Sequence, residues 1–294
     1  MAAESGGGEL LKVLGEYGVF LVEMGSLKDI YGAVRASSRI KYNCLSVGKK
    51  FIAVGASSGG LYLYYRKTLE YFRLIATKDG QITKVCFAKE KNYLGFATST
   101  GIVMVVDIGS KTRDKPKYLR RSEEHKGVSV TCLCWDDNDS RLFAGDDQGV
   151  VSALYLPVKY GANPNHSKRS LINHGTGIVG KSETAINQID YAVEKLLVST
   201  MTKTAVLDLP TLQCWLVGSK PREGTFGACF LQQFNQYNAT IYTARPGSRL
   251  WEASMDGQVI STQQYKHLLA VPSSPVLGYS HDAVVPQSNE EECK

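Results

Sequence analysis

Gly55-Ala-Ser57-Ser-Gly59 matches the Gly-x-Ser-x-Gly pattern of a nucleophile elbow. There, a serine on a strained strand-to-helix turn attacks a carbonyl and the following amide helps to bind the oxyanion. That chemistry needs a helix after the serine. Gly60-Leu-Tyr-Leu-Tyr-Tyr65 follows instead and reads as a strand, so serine hydrolase chemistry is not expected. The same glycines are followed by no Lys-Ser/Thr and no helix N-terminus, which a phosphate-binding loop requires. Of seven cysteines, Cys44, Cys86, Cys132, Cys134 and Cys229 fall on predicted strands among apolar neighbours, and no Cys-x-x-Cys occurs. They are expected to be reduced packing residues. The five histidines lack the short paired spacing of a zinc site, so neither a metal nor another cofactor is expected. His125 is placed to bridge strands through hydrogen bonds rather than to catalyse.

The formal charge of +6 is unevenly spread. Lys111, Arg113, Lys115, Lys117, Arg120 and Arg121, opposed by Asp114 alone, form one basic cluster, read as a loop from Gly109 to Arg121. A second loop, Lys159 to Lys181, adds Lys168 and Arg169 without an acid. Such clusters are either solvated surface or meet acidic proteins and anionic headgroups. Neither interleaves aromatics for base stacking, so nucleic acid is not an expected partner. Lys111, Arg113, Lys115, Lys117, Arg120, Arg121, Lys168 and Arg169 are the candidate partner-binding residues.

What must position these groups is a repeat. An apolar strand, a small-residue turn and a second apolar strand recur five times: Phe51-Ile-Ala-Val-Gly55 with Gly60-Leu-Tyr-Leu-Tyr64, Tyr93 to Ala97 with Gly101 to Val105, Arg141 to Gly145 with Gly149 to Ala153, Lys195 to Ser199 with Lys203 to Leu207, and Thr240 to Ala244 with Gly247 to Trp251. Turn positions 60, 101, 149, 203 and 247 are 41, 48, 54 and 44 residues apart. That period predicts an all-β, WD40-type β-propeller with five recognisable blades. Four units place Gly before the third strand, where a positive φ costs glycine little, and Lys203 breaks the rule. Nothing at either end obviously supplies a strand to latch the last blade to the first, so an incomplete ring is among the readings.

The first strand of the third unit alternates: Val128, Val130, Cys132 and Cys134 on one face, Ser129, Thr131, Leu133 and Trp135 on the other. Asp136-Asp-Asn-Asp-Ser140 then makes a hairpin loop. Residues 1–38 read as a segment with short helices or a strand, 39–266 as the propeller, and 267–294, with Pro272, Pro275, Pro286 and an acidic end, as a disordered tail. With 43% apolar residues the chain buries a sizeable core, and no run approaches the roughly eighteen apolar residues of a membrane span. The start lacks a secretion signal, so export is not expected and the cytosol is.

Glu124-His-Lys-Gly127, Thr131-Cys-Leu-Cys-Trp-Asp136, Gly227-Ala-Cys-Phe230, Ala244-Arg-Pro-Gly-Ser-Arg-Leu-Trp-Glu252 and Asp256-Gly-Gln-Val-Ile-Ser-Thr262 resemble the N-terminal propeller of the Hermansky-Pudlak syndrome 5 family, from about Arg39 to about Val276. The tectonin β-propeller repeat-containing protein 2 shares related strings. The first resemblance implies a non-enzymatic subunit of the biogenesis of lysosome-related organelles complex 2. Its implied partners are the syndrome 3 and syndrome 6 proteins, with a cytosolic location and peripheral contact with endosomal membranes. Members of that family continue into further blades and a helical region. The second resemblance implies an autophagy or secretory-route adaptor.

Overall fold

Runs of β-branched and aromatic residues, punctuated by Gly, Asp and Ser turns, fold into twenty strands in five four-stranded antiparallel sheets. The computed structural model describes residues 40–156, 175–232 and 239–266. All the strands belong to the compact unit Lys28–Tyr265. Blade 1 is β1 (Tyr42–Val47), β2 (Phe51–Ala56), β3 (Gly60–Tyr65) and β4 (Tyr71–Ala76). Blade 2 is β5 (Ile82–Phe87), β6 (Tyr93–Thr98), β7 (Val103–Asp107) and β8 (Lys117–Ser122). Blade 3 is β9 (Val130–Trp135), β10 (Arg141–Asp146), β11 (Val150–Tyr155) and β12 (Thr176–Lys181). Blade 4 is β13 (Ile186–Ala192), β14 (Lys195–Thr200), β15 (Thr204–Asp208) and β16 (Cys214–Leu216). Blade 5 is β17 (Ala228–Gln232), β18 (Ala239–Arg245), β19 (Arg249–Ala253) and β20 (Val259–Gln264).

Within each sheet the strands follow chain order, and the first strand of each blade lies against that of the next: β1 on β5, β5 on β9, β9 on β13, β13 on β17. Among the described strands no pairing of that extent joins β17 to β1. The five predicted repeats are thus the five blades, and the apolar runs that carried the prediction are their second and third strands. The segments 1–38 and 267–294, and most of the loop after Tyr155, lie outside the described residues.

The core is a series of seams between blades. Phe51, Leu63 and Phe72 meet Leu94, Phe96 and Met104; Ala97, Val103 and Val105 meet Trp135, Leu142 and Ala144; Phe143 and Ala153 meet Ile189, Tyr191 and Leu196; Leu197 and Val206 meet Ala228 and Ile241. Inner strands are two-faced because a blade has a neighbour on each side. Val85 and Phe87, Leu133 and Trp135, and Ile189 and Tyr191 pack toward the preceding blade. By strand register the same places in β1 hold Leu45 and Val47, which are 59% and 53% exposed.

A β-bulge in four of the five first strands corrects the predicted alternation. The register skips one residue at Asn43, Thr83, Thr131 and Asn187. Val130 consequently shares the face of Leu133 and Trp135, against blade 2, whereas Cys132 and Cys134 face blade 4. The bulged residues are polar: the threonines bond a carbonyl of their own blade's second strand, and the asparagines reach the next blade or its connector. Thr83 and Thr131 donate to Ala97 O (3.2 Å) and Gly145 O (3.0 Å), and Asn43 and Asn187 to Ile82 O (3.1 Å) and Gly224 O (3.3 Å).

Two further corrections concern turns. In the first unit the positive-φ glycine is Gly59 (φ 79°), and Gly60 already belongs to β3. The turn before β15 is one residue shorter than its counterparts, which is why Lys203 replaces a left-handed glycine there. Glycine is needed twice over at 101, where φ is 80° and a Cβ would stand 1.7 Å from the His125 carbonyl oxygen. The chain also re-enters the sheet earlier than predicted. Lys117, Arg120 and Arg121 lie on β8 rather than in a loop, because residues 117–122 pair with β7.

Loops stitch adjacent blades through carboxylates. Asp139, in the hairpin of blade 3, accepts the amides of Lys89 (2.7 Å), Glu90 (2.8 Å) and Lys91 (2.8 Å) in blade 2. Arg141 joins Asp136 (3.0 Å) to Glu194 (2.7 Å) and the Tyr191 hydroxyl (3.0 Å) of blade 4. Trp135 Nε1 donates to Cys86 O (3.0 Å), and Trp215 Nε1 to Met255 O (3.1 Å).

Candidate protein-interaction surface

Ser57 stands on the turn from β2 to β3, strand to strand, so the elbow geometry is not formed. Its hydroxyl accepts the Lys41 amide at 2.9 Å and its amide donates to the Lys41 carbonyl at 2.8 Å. These bonds hold a turn and aim nothing at a substrate. The described residues contain a single histidine, His125, and both of its ring nitrogens are engaged elsewhere.

His125 lies in the connector between β8 and β9. Its Nδ1 is 2.7 Å from Asp146 Oδ2 and its Nε2 is 2.7 Å from Ser152 Oγ. Serine, histidine and aspartate in this order resemble a hydrolytic triad. Accessibility separates the two cases: Ser152 and His125 are 0% exposed and Asp146 is 1%, so no carbonyl carbon can reach the serine. Asp146 also accepts the Gln148 amide (3.0 Å) and the Val150 amide (2.8 Å), tying the β10–β11 turn to the connector. The predicted strand-bridging place of His125 is the observed one. Its two partners were not legible, since nothing local marks Asp146 and Ser152 as buried.

Another connector, between β16 and β17, carries a residue that the sequence reading missed. Arg222 is 6% exposed. Its Nη2 donates to Ser199 Oγ (2.6 Å), Thr204 Oγ1 (2.9 Å) and Thr200 O (3.2 Å), and its Nη1 to Ala244 O (2.9 Å). Every acceptor is neutral, and Nε has no partner. Burial, and next the charge of Arg245, push the guanidinium down to about 10. The available signal was Ser199, Thr204 and Thr243 at core positions of strands.

The basic cluster of blade 2 divides. Arg120 Nε donates to Tyr155 O (2.8 Å), crossing to blade 3, and Arg121 pairs with Asp79 (3.1 Å) and with Glu123. Both are committed within the fold. Lys111, Arg113, Lys115 and Lys117 are exposed and enter no ion pair among the described residues. The backbone beneath them is fixed. Buried Arg73 donates to the carbonyls of Lys111 (2.7 Å) and Thr112 (3.2 Å), while Asp114 accepts the amides of Ser110 (2.9 Å) and Lys111 (2.8 Å). Lys168 and Arg169 lie outside the described residues.

Cys44, Cys86, Cys132 and Cys134 are partly buried and free, and burial raises the first three thiols to about 11 and Cys134 well above its ordinary value. Thiols so raised stay protonated and unreactive. Cys229 departs from the expectation. Although it is on β17, it is exposed because that face of blade 5 meets no further described blade; Cys214, on the outer strand of blade 4, is exposed as well. Among the described residues no group of His, Cys, Asp or Glu could hold a metal ion, and no helix is long and apolar enough to cross a membrane.

Comparison with known proteins places the chain. Residues 21–293 match the family model of the HPS5 β-propeller. The chain is 36% identical over 282 residues to the human BLOC-2 complex member HPS5, covering 92% of this chain and 25% of that protein. It is 34% identical over 235 residues to the BLOC-2 complex member HPS5 homolog of Drosophila melanogaster, covering 79% and 28%. Human tectonin beta-propeller repeat-containing protein 2 is 33% identical over 229 residues, covering 74% and 15%. Among solved structures, the computationally designed Ika8 protein superposes with a TM-score of 0.56 at 13% identity, covering 76% of this chain and 61% of that one. At that identity the likeness is one of fold alone. The chain spans about a quarter of the length of the two HPS5 relatives it matches. It belongs to the HPS5 β-propeller family.

Proposed function

We propose that this chain is a non-enzymatic scaffold whose propeller, residues 39–266, docks proteins of a BLOC-2-type assembly. The observation that carries the reading is the similarity to the human BLOC-2 complex member HPS5 across 92% of the chain. The triad-like residues are sealed inside blade 3 and Ser57 is occupied in a turn, so both serve the scaffold. In this reading the chain acts from the cytosol in endosome-to-melanosome and related trafficking. Its partners are the Hermansky-Pudlak syndrome 3 and 6 proteins, and it contacts endosomal membranes peripherally. Lys111, Arg113, Lys115 and Lys117 form a rigidly backed cationic edge for such contacts, and Arg120, Arg121, Lys168 and Arg169 are the further candidates for partner binding. An adaptor role like that of the tectonin relative is the second reading, supported by 33% identity over 74% of the chain. Affinity purification of the tagged full chain decides between them: recovery of the two sister subunits is expected. Recovery of autophagy or secretory-route components without them would overturn the first reading.

A further inference from the structure

Between the outer parts of blades 4 and 5 lies a cleft of about 670 Å³, a volume suited to a few peptide residues. One wall is the connector after β16, Gly218 to Pro221, and the other is formed by the β18–β19 turn with β19 and β20. The blades are fastened beneath it by the Gly218 amide, which donates to Gly257 O at 2.9 Å. Gly218 is required there, since a Cβ would stand 2.5 Å from the Trp251 ring.

Lys220, Arg245 and Arg249 line this cleft and no acidic residue does. The cations are pre-positioned rather than trailing in solvent. Arg245 lies 3.9 Å above the Trp251 ring centroid and donates through Nη2 to Lys220 O (2.7 Å) and Pro221 O (3.1 Å). Arg249 donates through Nε to Pro246 O (3.0 Å). Each guanidinium is thereby anchored at one side and keeps other N–H groups for a ligand. None of the three cations enters an ion pair among the described residues. Behind them sits Arg222, buried and also without a carboxylate. Like charges held together without a counter-charge cost free energy that an anionic ligand would offset.

The rest of the lining indicates what carries the anion. Trp251 and Val259 give the cleft apolar surface, and β20, the last strand of blade 5, pairs only with β19 among the described strands. A peptide brings main-chain groups for an open strand edge, apolar side chains for Trp251 and Val259, and carboxylates for the cations. A bilayer surface offers only the last of these to a recessed site.

We propose that the cleft between blades 4 and 5 binds an extended acidic peptide segment of a protein partner, clamped by Lys220, Arg245 and Arg249. The proposal deepens the scaffold reading, on which it rests for its cellular role. Its test needs no sister subunit, so each can fail alone.

The test titrates fluorescein-labelled hexaglutamate into the full 294-residue chain and follows anisotropy. Hexaglutamate binds and hexalysine does not; the pair Lys220→Glu with Arg249→Glu weakens binding about thirtyfold or more, whereas Lys50→Glu with Lys67→Glu on exposed blade 1 positions, the same change in net charge, costs about twofold or less. Equal losses from both pairs, or no hexaglutamate binding, overturns the proposal. Displacement of the peptide by inorganic phosphate assigns the cleft to small anions. Binding to vesicles of phosphatidylcholine with one-fifth phosphatidylserine, in the absence of peptide binding, assigns it to membranes. Either result also overturns it. Circular dichroism checks the variants' fold. Should the double variant not fold, Lys220→Gln alone, with hexaglutamate quenching of tryptophan fluorescence that disappears in Trp251→Phe, answers the same question.

Discussion

The seam between blades 2 and 3 is closed by Ala97, Val103 and Ala144, whereas the positions matching them by strand register between blades 4 and 5 are Ser199, Thr204 and Thr243. All six are buried, the hydroxyl residues to 0%, 3% and 1% exposure. Matching register positions therefore close one seam with methyl groups, dry at those positions, and the other with hydroxyls. Buried hydroxyls need partners, and the connector supplies Arg222, which donates to Ser199 and Thr204. Thr204 and Thr243 complete the network at 3.1 Å. A guanidinium surrounded by neutral acceptors is a weaker way to close a seam than packed methyl groups. The difference teaches that matching seam positions can be closed either by methyl groups or by hydroxyls that a connector guanidinium must satisfy, the latter beside the basic cleft.

The comparison breaks first if the dry seam is not close-packed. Leu142, 0% exposed, lies in its centre, so Leu142→Ala is expected to cost about 3–5 kcal/mol in urea unfolding. A loss near 1 kcal/mol would mean that the seam relaxes around the cavity. Arg222→Met comes next, at about 2–3 kcal/mol, because it removes the donor to Ser199, Thr204 and the Ala244 carbonyl. Copying the dry seam into the polar one sharpens the contrast. Adding Ser199→Ala, Thr204→Val and Thr243→Ala to Arg222→Leu should recover most of that loss. A compound variant no more stable than Arg222→Met would show that the two junctions differ in more than polarity.

Legibility in the sequence followed the same division. The second and third strands of blades 1 to 3 are buried on both faces along nearly their whole length, so their apolar runs and the turns between them announced the repeat, more strongly than in blades 4 and 5. First strands were harder, because the bulges at Asn43, Thr83, Thr131 and Asn187 shift the alternation by one residue and a strict period of two assigns Val130 to the wrong face. Charge was legible only where it is contiguous. The run from Lys111 to Arg121 was visible as a cluster, yet Arg120 bonds Tyr155 and Arg121 pairs with Asp79, both distant in the chain, as well as with neighbouring Glu123. Lys220 and Arg222 come from one stretch of sequence and Arg245 and Arg249 from another, and only the packing of blade 4 on blade 5 brings the two together.

Acid should separate junctions through two aspartates of opposite sign. For Asp136, burial raises the carboxyl, but bonds from Ser140 and Arg141 outweigh it and hold the group below its ordinary 3.8. Folding then favours the ionised form, so its contribution is complete above about pH 4 and disappears as pH falls through the lowered folded value. Asp190 bonds the Phe230 amide across blades 4 and 5 at 2.7 Å, but burial raises its carboxyl. Its ionised form is penalised in the fold, so that penalty is relieved as pH falls through the raised value toward 3.8. Urea titrations from neutral pH to about pH 3 should therefore show the cost of Asp136→Asn shrinking, with Asp190→Asn less costly than Asp136→Asn at neutral pH. Parallel curves for the two variants would remove the distinction.

The smallest effect tests the two seams with one oxygen atom. Ala97→Ser places a hydroxyl where the register puts Ser199 in blade 4, but the blade 2 and 3 connector sends no cation there, since His125 is spent on Asp146 and Ser152. The hydroxyl must either lose its hydrogen bonds or compete for a strand carbonyl, at a cost of about 1 kcal/mol. Ser199→Ala removes an acceptor from Arg222, which retains Thr204, Thr200 O and Ala244 O, and the loss is of similar size. Calorimetry on both variants should therefore show two lowered melting temperatures, although the substitutions are chemical opposites at matching positions. If Ala97→Ser is neutral, the seam between blades 2 and 3 admits a polar group as readily as its counterpart, and the polarity of the junction between blades 4 and 5 is not what draws Arg222 into it.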